Sequence, residues 1–263
     1  MNASSPTVLG PEDVRSFDER GYVILRGVFD AVELDAIRAA FDRLADEAKR
    51  LASSGMHKGA QFVIERRYGW RKPPSIHRVV WCGACEPLLL DVGADPRLLG
   101  PATSILGSDA ADHLINQAHF KIPGDGVSFA WHQDSVHRRY GTPLWQDVNG
   151  RGSYVQALLA VDAMDATNGP LIVVPGSCNA GHMHGEGRKR LDSGLFPPET
   201  TVTLTLDAGD VVMFGPYTVH KSTANTSRRP RRALINGYAY PGANSRDYPG
   251  DGAGRRLRIT DSR

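Results

Sequence analysis

The sequence predicts a mainly β fold of the α+β class, a β-sandwich or barrel core prefaced and flanked by helices. Three observations lead there. The first third carries apolar residues near a 3.6 period, the pattern of amphipathic helices. From Asp112 onward the period changes to short apolar runs bounded by turn residues. No internal repeat interrupts either part, so one core is the economical arrangement.

The elements follow in order. In "GPEDVRSFDERG", Pro11 sits at a first helical turn, acidic residues follow it, and Gly21 is placed to stop the helix. "YVILRG" reads as a short strand. The next helix runs through Val32, Leu34, Ile37, Ala40, Phe41, Leu44, Ala48 and Leu51, with Asp30 as its cap and Gly55 as its expected end. A polar connection, "MHKGAQFVIERRYGWRKPPS", holds one short strand at "QFVIE". Two short helices, "CEPLLLDVG" and "DPRLLGPATSILG", complete the helical part, the second capped by Asp95 with Pro96 behind it. Strands are then expected in "DHLINQAHFKI", "SFAWHQD", "SYVQALLAVD", "PLIVVPG", "TVTLTL", "DVVMF" and "RRALINGYAY", with a tight turn at Gly209 and Asp210. The expected organisation is a single domain over 1–245, helical to about 110 and strand-rich from about 111 to 245. The Gly-, Arg- and Asp-rich stretch 246–263 is expected to be a flexible tail.

Composition excludes several classes. A 263-residue chain with 41% hydrophobic and 23% charged residues has enough apolar content for a packed core. A net charge of +2, with basic clusters scattered rather than gathered, argues against nucleic acid as a partner. No apolar run approaches the roughly 20 residues a membrane span needs. The start, "MNASSPTVLGPEDV", has neither a basic n-region nor an apolar h-region. Three cysteines, Cys82, Cys85 and Cys178, do not describe a disulfide framework, so a reducing, cytoplasmic setting is expected.

The chemistry begins in "FAWHQDSVHRRYG". Residues i and i+2 of a strand share a face, so His132 and Asp134 stand side by side. Such a pair is a surface ion pair or two thirds of a metal site. His220, in "GDVVMFGPYTVHKSTANTS", follows a strand and a Gly-Pro turn and is placed to return across a sandwich. Two imidazoles and one carboxylate would form a facial triad, leaving three adjacent positions on Fe(II) for a chelating cosubstrate and O₂. The residual positive charge suits an anionic 2-oxo acid. Arg231, eleven residues after His220, offers a fork for its distal carboxylate, and Ser222 offers a hydroxyl on the side of His220.

The pattern "WHQD", then "NGPLIVVPGS", then "GDVVMFGPYTVHKSTANTS" with Arg231 behind it, resembles the phytanoyl-CoA dioxygenase family over roughly Leu114 to Tyr240. The resemblance implies a double-stranded β-helix (jelly roll) core and an Fe(II)- and 2-oxoglutarate-dependent oxygenase. It implies His132, Asp134 and His220 as iron ligands and Arg231 with Ser222 at the C5 carboxylate of 2-oxoglutarate. His119 and Gln156 match strand positions that carry polar cosubstrate contacts in relatives. The carboxylate of Asp134 fills the place left to halide in halogenating relatives, which favours hydroxylation, with succinate and CO₂ released. A small-molecule or natural-product substrate is expected, met by His137, Arg138, Arg139, Tyr140 or Trp145 on the loop after the first ligands.

Two rivals stand beside this reading. A cupin-like metalloenzyme without 2-oxoglutarate would use His182, His184, Glu186 and His220, although Glu186 follows His184 too closely for that motif. A jelly-roll binding module without catalysis would leave the His-x-Asp pair structural. The lone Cys82-Gly-Ala-Cys85 lacks the second ligand pair that zinc requires, and His77 alone does not supply it, so both thiols are read as buried small hydrophobes.

Overall fold

The structure, a computed structural model, describes residues 9–65, 75–184 and 189–259. The N-terminal elements follow the local signals. Helix α1 (Pro11–Arg20) has proline in its first turn and ends on Gly21 at φ 83°, where the glycine amide returns to the Phe17 carbonyl. Strand β1 (Tyr22–Leu25) follows. Helix α2 (Ala31–Lys49) opens with a complete capping box, in which the Asp30 side chain accepts from the Glu33 amide and Glu33 accepts from the Asp30 amide. Its buried face carries Leu34, Ile37, Phe41, Leu44 and Ala48.

That helix stops at Lys49, short of the expected Gly55, which instead begins strand β2 (Gly55–His57). The cause lies in Ser54, whose hydroxyl donates to the Ile64 carbonyl at 2.9 Å and accepts from the Ile64 amide at 2.8 Å. These two bonds pull the chain into a hairpin with β3 (Ala60–Glu65). The strand β4 (Ser75–Val80) was not expected from the Pro-rich connection before it. Helices α3 (Pro87–Ala94) and α4 (Pro96–Leu106) form where expected, and Asp95 caps the second through the Arg97 amide.

The strand-rich part contains β5 (Ala110–Lys121), β6 (Phe129–His132), the single turn α5 (Ser135–Arg138), β7 (Tyr154–Ala160), β8 (Leu171–Val173), β9 (Val202–Thr203), β10 (Val211–Phe214), β11 (His220–Ser222), β12 (Arg231–Ala239) and β13 (Arg255–Arg258). The turn at 207–210 places Gly209 at φ 95°, where a Cβ would lie 2.2 Å from the Phe29 carbonyl oxygen. Two antiparallel sheets result. The large one runs β1-β10-β7-β12-β5-β4-β3-β2, and the small one runs β6-β11-β8-β9. Facing sheets of this kind form a jelly-roll core. The helical part is therefore not separate from the strand-rich part, because β1 to β4 widen the large sheet on both sides.

The expected flexible tail is corrected in the same way. Strand β5 is twelve residues long, and β4 pairs only with its C-terminal half, from Gln117 to His119. The N-terminal half of that edge is covered by β13, which aligns Arg255–Arg258 with His113–Ala110. Leu257 is buried there, and Arg256 pairs with Asp112 at 2.8 Å. A basic sequence with one apolar residue hides this strand, since an edge strand needs little hydrophobic content. Leu257→Ala is expected to lower stability by about 2–3 kcal/mol, read as a drop of several degrees in thermal unfolding. An unchanged midpoint would mean that β13 does not hold the edge.

Candidate metal centre

Strands β6 and β11 pair so that His132 lies opposite His220. Their rings sit 4.2 Å apart between centroids. Each ring uses Nδ1 on a backbone carbonyl two residues back, His132 on Ala130 at 2.8 Å and His220 on Thr218 at 2.9 Å. With those nitrogens protonated, both Nε2 lone pairs face the cavity, the arrangement that orients histidine ligands. Burial and the neighbouring His220 pull the His132 imidazole down to about 4, against the pull of Asp134, so it is neutral at pH 7.

Asp134 reaches the site by a different route from simple strand alternation. The strand ends at His132, and Asp134 is already helical, at φ −66° and ψ −19°, heading α5. Its Oδ1 lies 3.9 Å from His132 Nε2, while Oδ2 is buried without a hydrogen-bond partner among the described residues. Burial raises its carboxyl, but His220, Arg138 and His132 outweigh that and hold it below the usual range. One ligand atom from each of His132, Asp134 and His220 lies within 4.8 Å of the others, the one such group among the described residues. The orphaned Oδ2 and two available Nε2 atoms fit a divalent cation and its two-His, one-carboxylate donor set.

Gln133, between the two ligands, points away and fastens the backbone. Its amide donates to the Gly181 and Tyr217 carbonyls at 2.8 and 2.6 Å and accepts from the Met183 amide at 2.7 Å. The same segment disposes of the cupin-like ligand set. His184 Nε2 accepts from the Gln133 amide at 3.0 Å, and His182 bonds the Ser135 hydroxyl at 2.7 Å. Neither joins the metal cluster, and Glu186 lies outside the described residues. Cys82 is buried with Sγ on Asn116 Oδ1 at 3.2 Å, and burial pushes its thiol up, as expected of a packed thiol.

A cavity of about 300 Å³ opens in front of the three ligands. At one end Arg231, on β12, stands directly opposite Lys121 on β5. Arg231 is buried, donates Nη2 to the Gly169 carbonyl at 2.5 Å, and leaves Nε buried without a partner. Lys121 donates to the Ser222 hydroxyl at 2.8 Å and to the Thr223 carbonyl. Burial, with Arg231 beside it, lowers the Lys121 ammonium to about 7. Arg231, Ser222 and Lys121 thus gather at one anion-accepting end. Lys121 was missed by sequence reasoning, although "HFKI" places it two residues after His119 on the same strand face.

His119 and Gln156 both line this cavity. His119 meets Gln117 Oε1 at 2.9 Å and is held neutral by burial and by Arg78, Arg231 and Lys121. Gln156 accepts from the Tyr154 hydroxyl at 2.9 Å. Of the five residues expected to meet substrate, His137 and Arg138 line the cavity, while Arg139, Tyr140 and Trp145 do not. Arg139 ends α5 in the left-handed region at φ 67°, which turns the chain away from the ligands. Tyr140 and Trp145 then pack against each other with tilted rings, 5.0 Å between centroids, and Trp145 is buried in the core.

A jelly roll with a two-imidazole, one-carboxylate cluster facing a cavity with buried cations is the layout of a non-haem dioxygenase. The chain belongs to the phytanoyl-CoA dioxygenase (PhyH) family, which it matches over residues 17–233, and it is a dioxygenase. It is similar to the ectoine dioxygenase of Bordetella bronchiseptica, 26% identical over 252 residues that cover 88% of this chain and 75% of the relative. Its fold matches EctD from S. alaskensis, solved with 2-oxoglutarate and 5-hydroxyectoine (TM-score 0.68, 21% identity, 94% of this chain and 82% of that one). A further crystal structure of EctD carries bound Fe (TM-score 0.65, 22% identity, 92% and 80%). EvdO2 from Micromonospora carbonacea var. aurantiaca, complexed with 2-oxoglutarate, matches with a TM-score of 0.66 at 22% identity, over 93% and 96% of the two chains. No helix among the described residues is long and apolar enough to cross a membrane.

Proposed function

We propose that this dioxygenase hydroxylates a small-molecule or natural-product substrate, using Fe(II) held by His132, Asp134 and His220 and 2-oxoglutarate held by Arg231, Ser222 and Lys121. The convergence of the three ligand groups within 4.8 Å, with Asp134 Oδ2 left unpartnered, carries the reading. Bound together, iron, 2-oxoglutarate and O₂ supply an oxidative decarboxylation that releases succinate and CO₂ and leaves one oxygen atom on the substrate. The chain's own residues do the rest. The Nδ1–carbonyl bonds fix the imidazole planes, Gln133 anchors the segment between the first two ligands, and the Arg231 end sets the direction of the cosubstrate. His119 and Gln156 form the polar wall along its length.

The test is anaerobic addition of Fe(II) and 2-oxoglutarate to the purified protein. A weak visible absorption band that needs both additions is expected. Its absence at saturating concentrations, with folded protein, would refute the assignment.

Lys121 makes the cosubstrate end sensitive to pH. A bound carboxylate favours the charged ammonium, whereas the empty site holds it at about 7. Binding above that pH must therefore take up a proton. The dissociation constant for 2-oxoglutarate should be flat near pH 6 and rise up to about tenfold per unit above pH 7. Lys121→Met should flatten the profile, and calorimetry in two buffers of different ionisation heat reads the proton uptake directly.

A further inference from the structure

With the metal and the Arg231 end assigned as proposed above, the cavity still holds more positive charge than those groups use. Among the described residues lining it, Arg78, Lys121, Arg138, Lys221, Arg231 and Arg246 face a single carboxylate, Asp134. Arg138 is the most confined of those left over. It is 6% exposed, lies on the last turn of α5, and its amide bonds back to the Asp134 carbonyl at 3.1 Å. Its guanidinium sits between two tyrosine rings, 4.9 Å from the centroid of Tyr154 and 5.2 Å from that of Tyr248.

Two aromatic faces fix the plane of that fork without neutralising it. Among the described residues Asp134 acts on Arg138 only through its charge, with no direct ion pair, and the Nε and Nη1 of Arg138 are buried without hydrogen-bond partners. The Tyr248 hydroxyl, also on the cavity wall, approaches the guanidinium but leaves Nε and Nη1 unpartnered. A guanidinium stays charged at every working pH, and leaving two of its buried nitrogens without acceptors is costly. The partner is thus to be expected from whatever fills the cavity.

The wall on this side comes from the segment after the last core strand. Arg246 donates to the His137 carbonyl and also lies over the Tyr248 ring, 5.0 Å from its centroid, and Pro249 continues the lining. The family match ends at residue 233, so this wall belongs to the chain beyond it. We infer that Arg138, clamped between Tyr154 and Tyr248, anchors an oxyanion of the substrate, and that the substrate is a small organic acid bearing a carboxylate or phosphonate. The inference rests on the proposed function, because that reading assigns Arg231 and Lys121 to the cosubstrate and leaves Arg138 to the substrate.

The test uses the protein loaded anaerobically with Fe(II) and saturating 2-oxoglutarate. Cyclopentanecarboxylate, methylphosphonate and the neutral cyclopentanecarboxamide are titrated calorimetrically, with the visible band recorded in parallel. At least one anion should bind and the amide should bind at least tenfold more weakly; the tighter anion tells which oxyanion the site prefers. In Arg138→Met that anion should lose at least tenfold in affinity while the band and the 2-oxoglutarate affinity are unchanged, with Arg138→Lys in between. Equal binding of the amide, no anion binding, or unchanged anion affinity in Arg138→Met would overturn the inference. So would loss of the band in Arg138→Met alone, since Arg138 would then brace Asp134. If the band never forms in the unmodified protein, the proposed function fails, whereas anion binding that depends on Arg138 would still uphold the subsite.

Discussion

Replacing His220 by alanine is expected to abolish iron binding at micromolar Fe(II) and to lower turnover by on the order of 10³ or more. Loss of an outer hydrogen bond around a metal ligand costs roughly 10–100-fold, and loss of the ligand itself goes beyond that. The ring is 4% exposed and packed between His132 and Phe214, whose centroid is 4.8 Å away, so the change also opens a small void. Thermal unfolding separates the two effects. A drop of a few degrees with a fold otherwise retained, together with loss of the Fe(II)- and 2-oxoglutarate-dependent band, is the expected pair of results. Retention of both iron and turnover would remove His220 from the ligand set.

Arg231→Ala has the second largest expected effect, on a different quantity. Truncating one partner of a buried, hydrogen-bonded charge pair costs about 2–5 kcal/mol, so the dissociation constant for 2-oxoglutarate should rise about 30- to 5,000-fold while metal binding persists. Arg231→Lys should recover only part of this, because an ammonium cannot reproduce the planar fork. The same change acts on Lys121. Arg231 is one of the two causes that lower the Lys121 ammonium, so its removal should move the pH profile of cosubstrate binding to higher pH. A variant that weakens binding without moving that profile would place Arg231 away from Lys121 in function.

Much of this centre could be read along the chain because its parts are chemically distinctive. His132, Asp134 and His220, read along the chain as one ligand set, do converge, and Arg231 has the type and place in sequence order that the proposed acid-binding end would use. Local signals likewise marked the cap at Asp30 and the stop at Gly21. What escaped depends on tertiary pairing. Lys121 is meaningful only because β12 sets Arg231 against it, and nothing in "HFKI" reveals that register. The buried role of Arg138 needs Tyr154 and Tyr248, which come from distant segments. The strand β13 escaped because its pairing is dictated by the uncovered half of β5, not by its own composition. Arg139, Tyr140 and Trp145 share a loop with true cavity residues, and only the left-handed turn at Arg139 sorts them.

The most direct measurement is the anomalous X-ray signal at the iron edge from crystals grown anaerobically with Fe(II) and 2-oxoglutarate. One peak per chain is predicted, within bonding reach of His132 Nε2, His220 Nε2 and an Asp134 oxygen, with the far carboxylate of the cosubstrate on Arg231. A peak at His182 and His184 instead, or none between the three groups, would contradict the account.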